Sequence, residues 1–71
     1  MEDNDAVPPT LAQVRGTQWK YTEYVSGETE LYDVVADPFE LNNLTADPTH
    51  AALKAELAAR LRQLRPDWPP P

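Results

Sequence analysis

The clearest pattern along the chain is a pair of aromatic and β-branched segments joined by a glycine turn. Residues 19–25 and 28–34 have the composition that suits a pleated, half-buried surface. Ser26 and Gly27 lie between them, and a short link that contains glycine is typical of a β-hairpin. The pattern therefore predicts two antiparallel strands that carry the main apolar surface.

Two registers of this hairpin are possible. A two-residue turn places Trp19 opposite Val34 and Tyr21 opposite Tyr32, which gathers four apolar side chains on one face. The same register places Glu23 opposite Glu30, an unfavourable like-charge pair, and a type I turn with a bulge at Gly27 would slide the register by one residue and separate these two carboxylates. We favour the two-residue turn because it is the one that gathers the aromatic side chains.

A short upstream segment and a later amphipathic segment complete the predicted fold. Residues 11–15 form a candidate first strand, turned by residues 16–18 into the hairpin strands at about 18–25 and 28–34. Downstream, Asp47 is a favourable N-cap and Pro48 suits the first position of a helix.

The helix that follows has a single leucine stripe. Its leucines recur at spacings of four, four and three residues, which stacks them on one face: Leu53, Leu57, Leu61 and Leu64. We expect this stripe to cover the apolar hairpin face. The predicted fold class is α+β, a small antiparallel three-stranded β-meander packed against one C-terminal α-helix. The opposite sheet face, with Tyr24 and Leu31, would then be uncovered.

Composition divides the chain into three parts. Residues 1–10 are acidic with little to bury and predict a disordered arm, and residues 11–65 form the α+β unit. Residues 66–71 are rich in proline and predict an extended tail. The tail could bind a proline-recognition domain, but it lacks a clear recognition pattern, so we favour a plain terminus.

The segment between the hairpin and the helix predicts a turn-rich loop. Asp37 and Pro38 form a turn, because proline presets φ and the aspartate can accept hydrogen bonds from the backbone just ahead. Phe39, Leu41 and Leu44 are apolar, and we expect them to hold the loop against the core.

Length and charge exclude several function classes. The chain has 71 residues, a formal net charge of −6 and no cysteine. Nucleic acids and anionic membranes attract basic surfaces, so we expect neither as a partner. No apolar run approaches the roughly 20 residues that span a bilayer. The acidic start does not resemble a signal peptide, although a signal on a longer parent would not be visible here.

The candidate metal sites have a simpler explanation. Glu23 and Glu30 face each other in the two-residue register and could hold a cation, but hard cations usually need more than two oxygen ligands. We favour two solvated carboxylates near the hairpin tip. Four further acids could suggest a calcium loop, but their spacing fits turns and caps better: Asp33, Asp37, Glu40 and Asp47.

Three basic side chains are further candidates. His50 lies in the first helical turn without an evident nucleophile or catalytic partner, so we favour a surface histidine. Arg15 and Lys20 could hold a sulfate or phosphate. We favour structural ion pairing instead, with Lys20 opposite Asp33 in the preferred register.

A set of short motifs resembles the C-terminal subdomain of type I sulfatases, in particular the arylsulfatase and N-acetylglucosamine-6-sulfatase-like branch. The resemblance covers about residues 8–64, and departs from the family at Gly16 and Val34, where threonine and leucine are usual. The motifs that carry it are Pro8-Pro9-Thr10, Val14-Arg15, Trp19-Lys20-Tyr21, Glu23-Tyr24, Gly27-Glu28, Glu30-Leu31-Tyr32-Asp33, Asp37-Pro38, Glu40 and Asn43-Leu44.

The resemblance implies an antiparallel sheet with a terminal helix, packed against a separate catalytic domain. Sulfatases of this family use a formylglycine and a calcium ion, and both belong to that catalytic domain. Ser26, the only serine, lies in Ser-Gly-Glu-Thr rather than in the formylglycine motif. We therefore expect no catalytic, cofactor-binding or metal-binding residue in this chain, and whether it acts as an enzyme stays open.

Two functional hypotheses remain. The first is a non-catalytic C-terminal subdomain or fragment of a sulfatase-like hydrolase, with a sulfatase catalytic domain as its partner. The alternative is an independent acidic interaction module that self-associates or binds another protein. A self-contained enzyme is disfavoured, because a nucleophile, a base and oxyanion donors are not evident.

Overall fold

A computed structural model describes residues 10–69. Three strands, β1 (Leu11–Arg15), β2 (Trp19–Tyr24) and β3 (Thr29–Asp33), form one antiparallel sheet in the order β1-β2-β3. A 3₁₀ turn, Pro48–His50, leads into the helix α1 (Ala51–Leu64). The predicted α+β meander with one C-terminal helix is confirmed. The expected arm lies almost entirely outside the described residues.

The hairpin register differs from the preferred prediction by one residue. Tyr21 pairs with Leu31 rather than Tyr32, and Trp19 pairs with Asp33 rather than Val34. The Tyr24 N–H donates to the Glu28 carbonyl at 2.8 Å, so three residues, 25–27, form the loop within this closing pair, and Gly27 has a φ of 99°. A three-residue hairpin loop with a left-handed glycine is the bulged turn, so the alternative register is the one that forms.

The observed register of the hairpin determines which side chains lie in the core. Because side chains alternate along a strand, Tyr21 and Leu31 share a face with Ala12 and Val14 of β1. These four side chains are buried beneath α1, whereas Tyr32 lies on the opposite face and is only half-buried. The expectation that Leu31 would be exposed is wrong.

One helical leucine and one tryptophan complete the core. Leu61 is fully buried, and Leu57 and Ala58 pack beside it. Leu64, expected in the same stripe, is 60% exposed. The indole of Trp68 is 4% exposed, so it closes the core from the segment that was predicted to be an extended tail.

The outer edge of β3 is covered by the loop that follows it. The backbone N–H of Leu31 donates to the Asn43 side-chain oxygen at 2.9 Å, and the Leu31 carbonyl accepts from the Leu44 N–H at 2.8 Å. The Leu44 side chain packs against the core. Asn43 and Leu44 thus satisfy strand groups that an uncovered edge would present to solvent or to another chain.

The helical segment starts at the predicted cap, but as a 3₁₀ turn: Asp47 caps Pro48–His50, and α1 follows from Ala51. Asp47 has an extended backbone, and its carboxylate accepts from the Thr49 N–H at 3.0 Å, with Pro48 in the first position. Within the described part of the chain, no helix is both long and apolar enough to cross a membrane.

Candidate functional site

Glu23 is the centre of a polar cluster between the sheet and the C-terminal segment. Its carboxylate accepts hydrogen bonds from the Tyr21 hydroxyl at 2.7 Å, from Arg62 at 3.1 Å and from the Trp68 indole at 3.1 Å. The Glu23 side chain is only 12% exposed. It is therefore a partly buried structural acceptor and not a fully solvated carboxylate.

The titration of this cluster follows from its hydrogen bonds. Burial raises the pKa of Glu23, but the hydrogen bonds from Arg62, Tyr21 and Trp68 outweigh burial, and the resulting pKa is below its ordinary value. Burial, together with the bond to Glu23, raises the pKa of Tyr21 well above its usual range. Glu23 is therefore ionised and Tyr21 protonated at neutral pH, as this bonding pattern requires.

Glu23 and Glu30 do not form a pair. In the observed register Glu23 lies opposite Thr29, and Glu30 lies opposite Thr22 on the other face. Glu30 instead accepts from the Tyr24 hydroxyl at 3.3 Å. The like-charge contact that the two-residue register implied is absent from the hairpin, because the bulge at Gly27 separates the two carboxylates.

The acids of the loop after β3 shape its backbone. Asp33 accepts from the N–H groups of Val35 and Ala36 at 3.1 and 3.0 Å, and Asp37 accepts from those of Leu41 and Asn42 at 3.1 and 2.9 Å. The bond from Ala36 leads those that hold the pKa of Asp33 below its ordinary value. These carboxylates have the turn-forming role that the sequence predicts.

Lys20 ties the same loop to the sheet. Its ammonium group lies 2.8 Å from the Glu40 carboxylate, not beside Asp33 as the two-residue register would place it. Glu40 has a φ of 57°, the left-handed region that non-glycine residues rarely adopt. The ion pair holds this unusual backbone in place.

Apolar side chains project from this loop into solvent. Phe39 is 82% exposed, Leu41 84% and Val35 68%. The expectation that Phe39 and Leu41 would hold the loop against the core is therefore wrong, and Leu44 alone has that role. We call residues 34–42 the apolar loop.

The surroundings of His50 and Arg15 do not indicate a catalytic role for either residue. The His50 ring lies 5.5 Å from the Trp19 ring, and its Nδ1 lies 3.2 Å from an Asp47 oxygen. Arg15 borders a cleft of about 400 Å³ between the β1–β2 turn and α1. Among residues 10–69, no group of three or more histidine, aspartate or glutamate side chains is arranged to hold a metal ion.

Sequence reasoning missed two features of this surface. The prolines around Trp68 favoured the prediction of an extended tail. A tryptophan in a short tail nevertheless indicates that the segment packs against the core. The sequence also indicated the unusual position of Phe39 and Leu41, because both residues flank Glu40 in a turn-rich segment. Large apolar side chains in such a segment must be covered either by the core or by a partner.

Comparison with known proteins gives three findings. Residues 2–67 match the family model described as N-sulphoglucosamine sulphohydrolase, C-terminal. The chain is 47% identical over 49 residues to a Delta 4,5-hexuronate-2-O-sulfatase of Bacteroides thetaiotaomicron, and 36% identical over 50 residues to an ulvan-active sulfatase of Formosa agariphila. No solved structure gives a significant match.

These alignments involve most of the chain but little of the relatives. They cover 68% and 70% of the chain respectively, and 10% of each relative. The chain therefore spans about a tenth of the length of the curated relatives it matches. The resemblance to a sulfatase C-terminal subdomain that the sequence motifs indicate is confirmed.

Proposed function

Since the chain belongs to the family of N-sulphoglucosamine sulphohydrolase C-terminal domains, we propose that it is a non-catalytic subdomain of a sulfatase-like sulfuric ester hydrolase and packs against the catalytic domain of that enzyme. The observation that carries this proposal is the family match over residues 2–67, joined to relatives of which the chain spans only a tenth.

The use of the polar side chains supports a structural role. The main candidates for chemistry are engaged within the fold: Glu23 accepts three hydrogen bonds, and Asp33 and Asp37 accept backbone N–H groups. Asn43 holds the edge of β3. A carboxylate engaged in this way is poorly placed to act as a base or as a metal ligand.

The cofactors of the family do not fit the described residues. A formylglycine requires a cysteine or serine in a specific motif, and the chain has no cysteine and a single serine outside such a motif. The carboxylates of residues 10–69 do not converge in a group of three that would suit calcium. We therefore assign both groups to the catalytic domain and derive no reaction step in this chain.

Replacement of the corresponding segment in a known sulfatase tests the proposal. In the Bacteroides relative, the segment that aligns with this chain is exchanged for the chain, which gives a grafted sulfatase. We expect it to purify as a folded protein and to retain sulfatase activity, because the replacement supplies the same subdomain.

Two control proteins make the result interpretable. One lacks the segment altogether, and the other carries the graft with Leu31→Asp, which places a charge in the fully buried core. The protein that lacks the segment should be inactive, and the Leu31→Asp graft should be unstable or inactive. A grafted sulfatase that behaves like these two controls would refute the proposed role.

A further inference from the structure

We infer that the apolar loop, residues 34–42, is the surface through which this chain contacts the catalytic domain of a sulfatase. The inference rests on the proposed function and adds the contact surface to it. Phe39 and Leu41 are the anchors, since they are the most exposed of the large apolar side chains in the described chain.

The exposure of these side chains is unusual for a small chain. A single exposed apolar side chain is common, and Val25 and Leu64 are examples at the hairpin tip and near the end of the helix. Val35, Phe39 and Leu41, in contrast, come from seven consecutive residues and are each more than two-thirds exposed. An apolar group of this kind is typical of an interaction site.

The loop is also held in one conformation before any partner binds. Asp33 and Asp37 each accept two backbone N–H groups, and the ion pair of Lys20 with Glu40 ties the centre of the loop to β2. A preorganised surface loses less conformational entropy on association than a flexible one. Glu40, which has a left-handed backbone, lies in the same segment.

The size of the relatives and the charge of the chain identify the partner. About nine-tenths of each matched sulfatase lies outside the aligned segment, so a large surface of the same enzyme is available to cover the loop. A second copy of this chain is disfavoured, because each copy carries a net charge of −6. The expected complement is an apolar pocket bordered by cationic or N–H groups that face Asp33 and Asp37.

A site-specific fluorophore tests the contact directly. The chain has no cysteine, so Phe39→Cys and Val25→Cys each give one labelling position for an environment-sensitive dye. Each labelled chain is titrated with the Bacteroides relative from which the aligned segment has been removed. We expect a blue shift at position 39 and none at position 25, because only the loop becomes buried.

Affinity measurements with the unlabelled chain provide the second test. Phe39→Ser and Leu41→Ser should each weaken binding about tenfold or more, as expected for anchor residues. Val25→Ser and Leu64→Ser remove exposed apolar side chains elsewhere and should change the affinity by less than about twofold. Circular dichroism of the free variants checks that each one stays folded, which the high exposure of all four positions favours.

The outcomes separate this inference from the proposed function. Binding with a shift at position 25 alone or equally at both positions, or binding that the loop variants leave unchanged, would overturn the loop assignment and leave the subdomain role intact. If circular dichroism shows that the truncated relative is folded and the unlabelled chain still does not bind it, both the loop assignment and the proposed packing fail.

Discussion

The indole N–H of Trp68 donates to a carboxylate oxygen of Glu23 at 3.1 Å, across 45 residues of sequence. This bond joins the segment after the helix to the middle strand of the sheet. Tyr21 and Arg62 donate hydrogen bonds to the same carboxylate, so one partly buried acid links the sheet, the helix and the C-terminal segment. The core is small, and its closure depends on this contact.

Removal of the indole should destabilise the whole unit. Trp68→Ala leaves a cavity beside Leu61 and removes one donor from Glu23, and we expect a loss of about 3 kcal/mol in the free energy of unfolding. Urea denaturation followed by circular dichroism measures it. Asp67→Ala is the control at an exposed neighbouring position and should have almost no effect; equal losses for both variants would contradict a core role for Trp68.

Neutralisation of Glu23 should change both stability and its pH dependence. Glu23→Gln loses the ion pair with Arg62 and weakens the other hydrogen bonds, at a cost of about 1–3 kcal/mol near neutral pH. Because the pKa of Glu23 is lower in the folded chain than in the unfolded chain, its stabilisation is complete above the unfolded pKa. It disappears as the pH falls through the folded pKa.

The unfolding midpoint measured from neutral to acidic pH tests this linkage. The unsubstituted chain should lose stability on acidification more steeply than Glu23→Gln. Asp33 and Asp47 also have lowered pKa values, so the variant should keep part of the dependence. Parallel curves for the two proteins would show that the Glu23 carboxylate does not contribute to the linkage.

The two glycines offer a matched test of the left-handed backbone at Gly27. Gly27 has a φ of 99°, and an added Cβ would meet nothing within 4 Å, so Gly27→Ala should cost about 1–2 kcal/mol through backbone conformation alone. Gly16 lies in the other turn without a left-handed φ, and its added Cβ would make an ordinary contact with the Trp19 carbonyl at 3.9 Å. Gly16→Ala should therefore be neutral or slightly stabilising. If denaturation shows the reverse order, the assignment of a left-handed backbone to Gly27 is wrong.

The edge of β3 can be tested at two neighbouring asparagines. Asn43→Ala leaves the N–H groups of Leu31 and Thr45 without their side-chain acceptor and should cost about 1–3 kcal/mol. Asn42→Ala is the control, because Asn42 contributes its backbone N–H to the bond with Asp37. Comparable thermal unfolding of the two variants would show that Asn43 does not hold the edge.

Local sequence signals predict the elements of this fold well. The three strands, the cap at Asp47 and the helix follow from composition, turn residues and leucine spacing, which are short-range properties. Asp37 also forms the predicted turn contacts. The sulfatase family follows from the motifs along the same segment.

The register and the core required information that these signals do not contain. The aromatic side chains favoured the two-residue turn, but a bulge at Gly27 places Leu31 beneath the helix and leaves Tyr32 on the other face. Tyr32 can remain there because a phenol keeps its hydroxyl group in contact with water while its ring is half-buried. A one-residue shift thus changes the face of every side chain of β3.

The apolar loop shows a second limit of prediction from the sequence. Phe39 and Leu44 have similar hydrophobicity, yet one is exposed and the other packs against the core. The Asp33 and Asp37 turns set the path of the loop, so the position of each side chain depends on backbone geometry rather than on its own polarity. Local sequence patterns also could not predict the hydrogen bond between Trp68 and Glu23, because it joins distant parts of the chain.

Amide hydrogen exchange of the grafted sulfatase, compared with the free chain, tests the proposed packing of this subdomain against a catalytic domain most directly. The amides that donate to Asp33 and Asp37, at Val35, Ala36, Leu41 and Asn42, are exposed in the free chain and should exchange more slowly in the grafted enzyme. The hairpin tip at residues 25–28 should exchange at the same rate in both. Unchanged exchange in the apolar loop, or protection at the tip instead, would contradict packing against the catalytic domain through this loop.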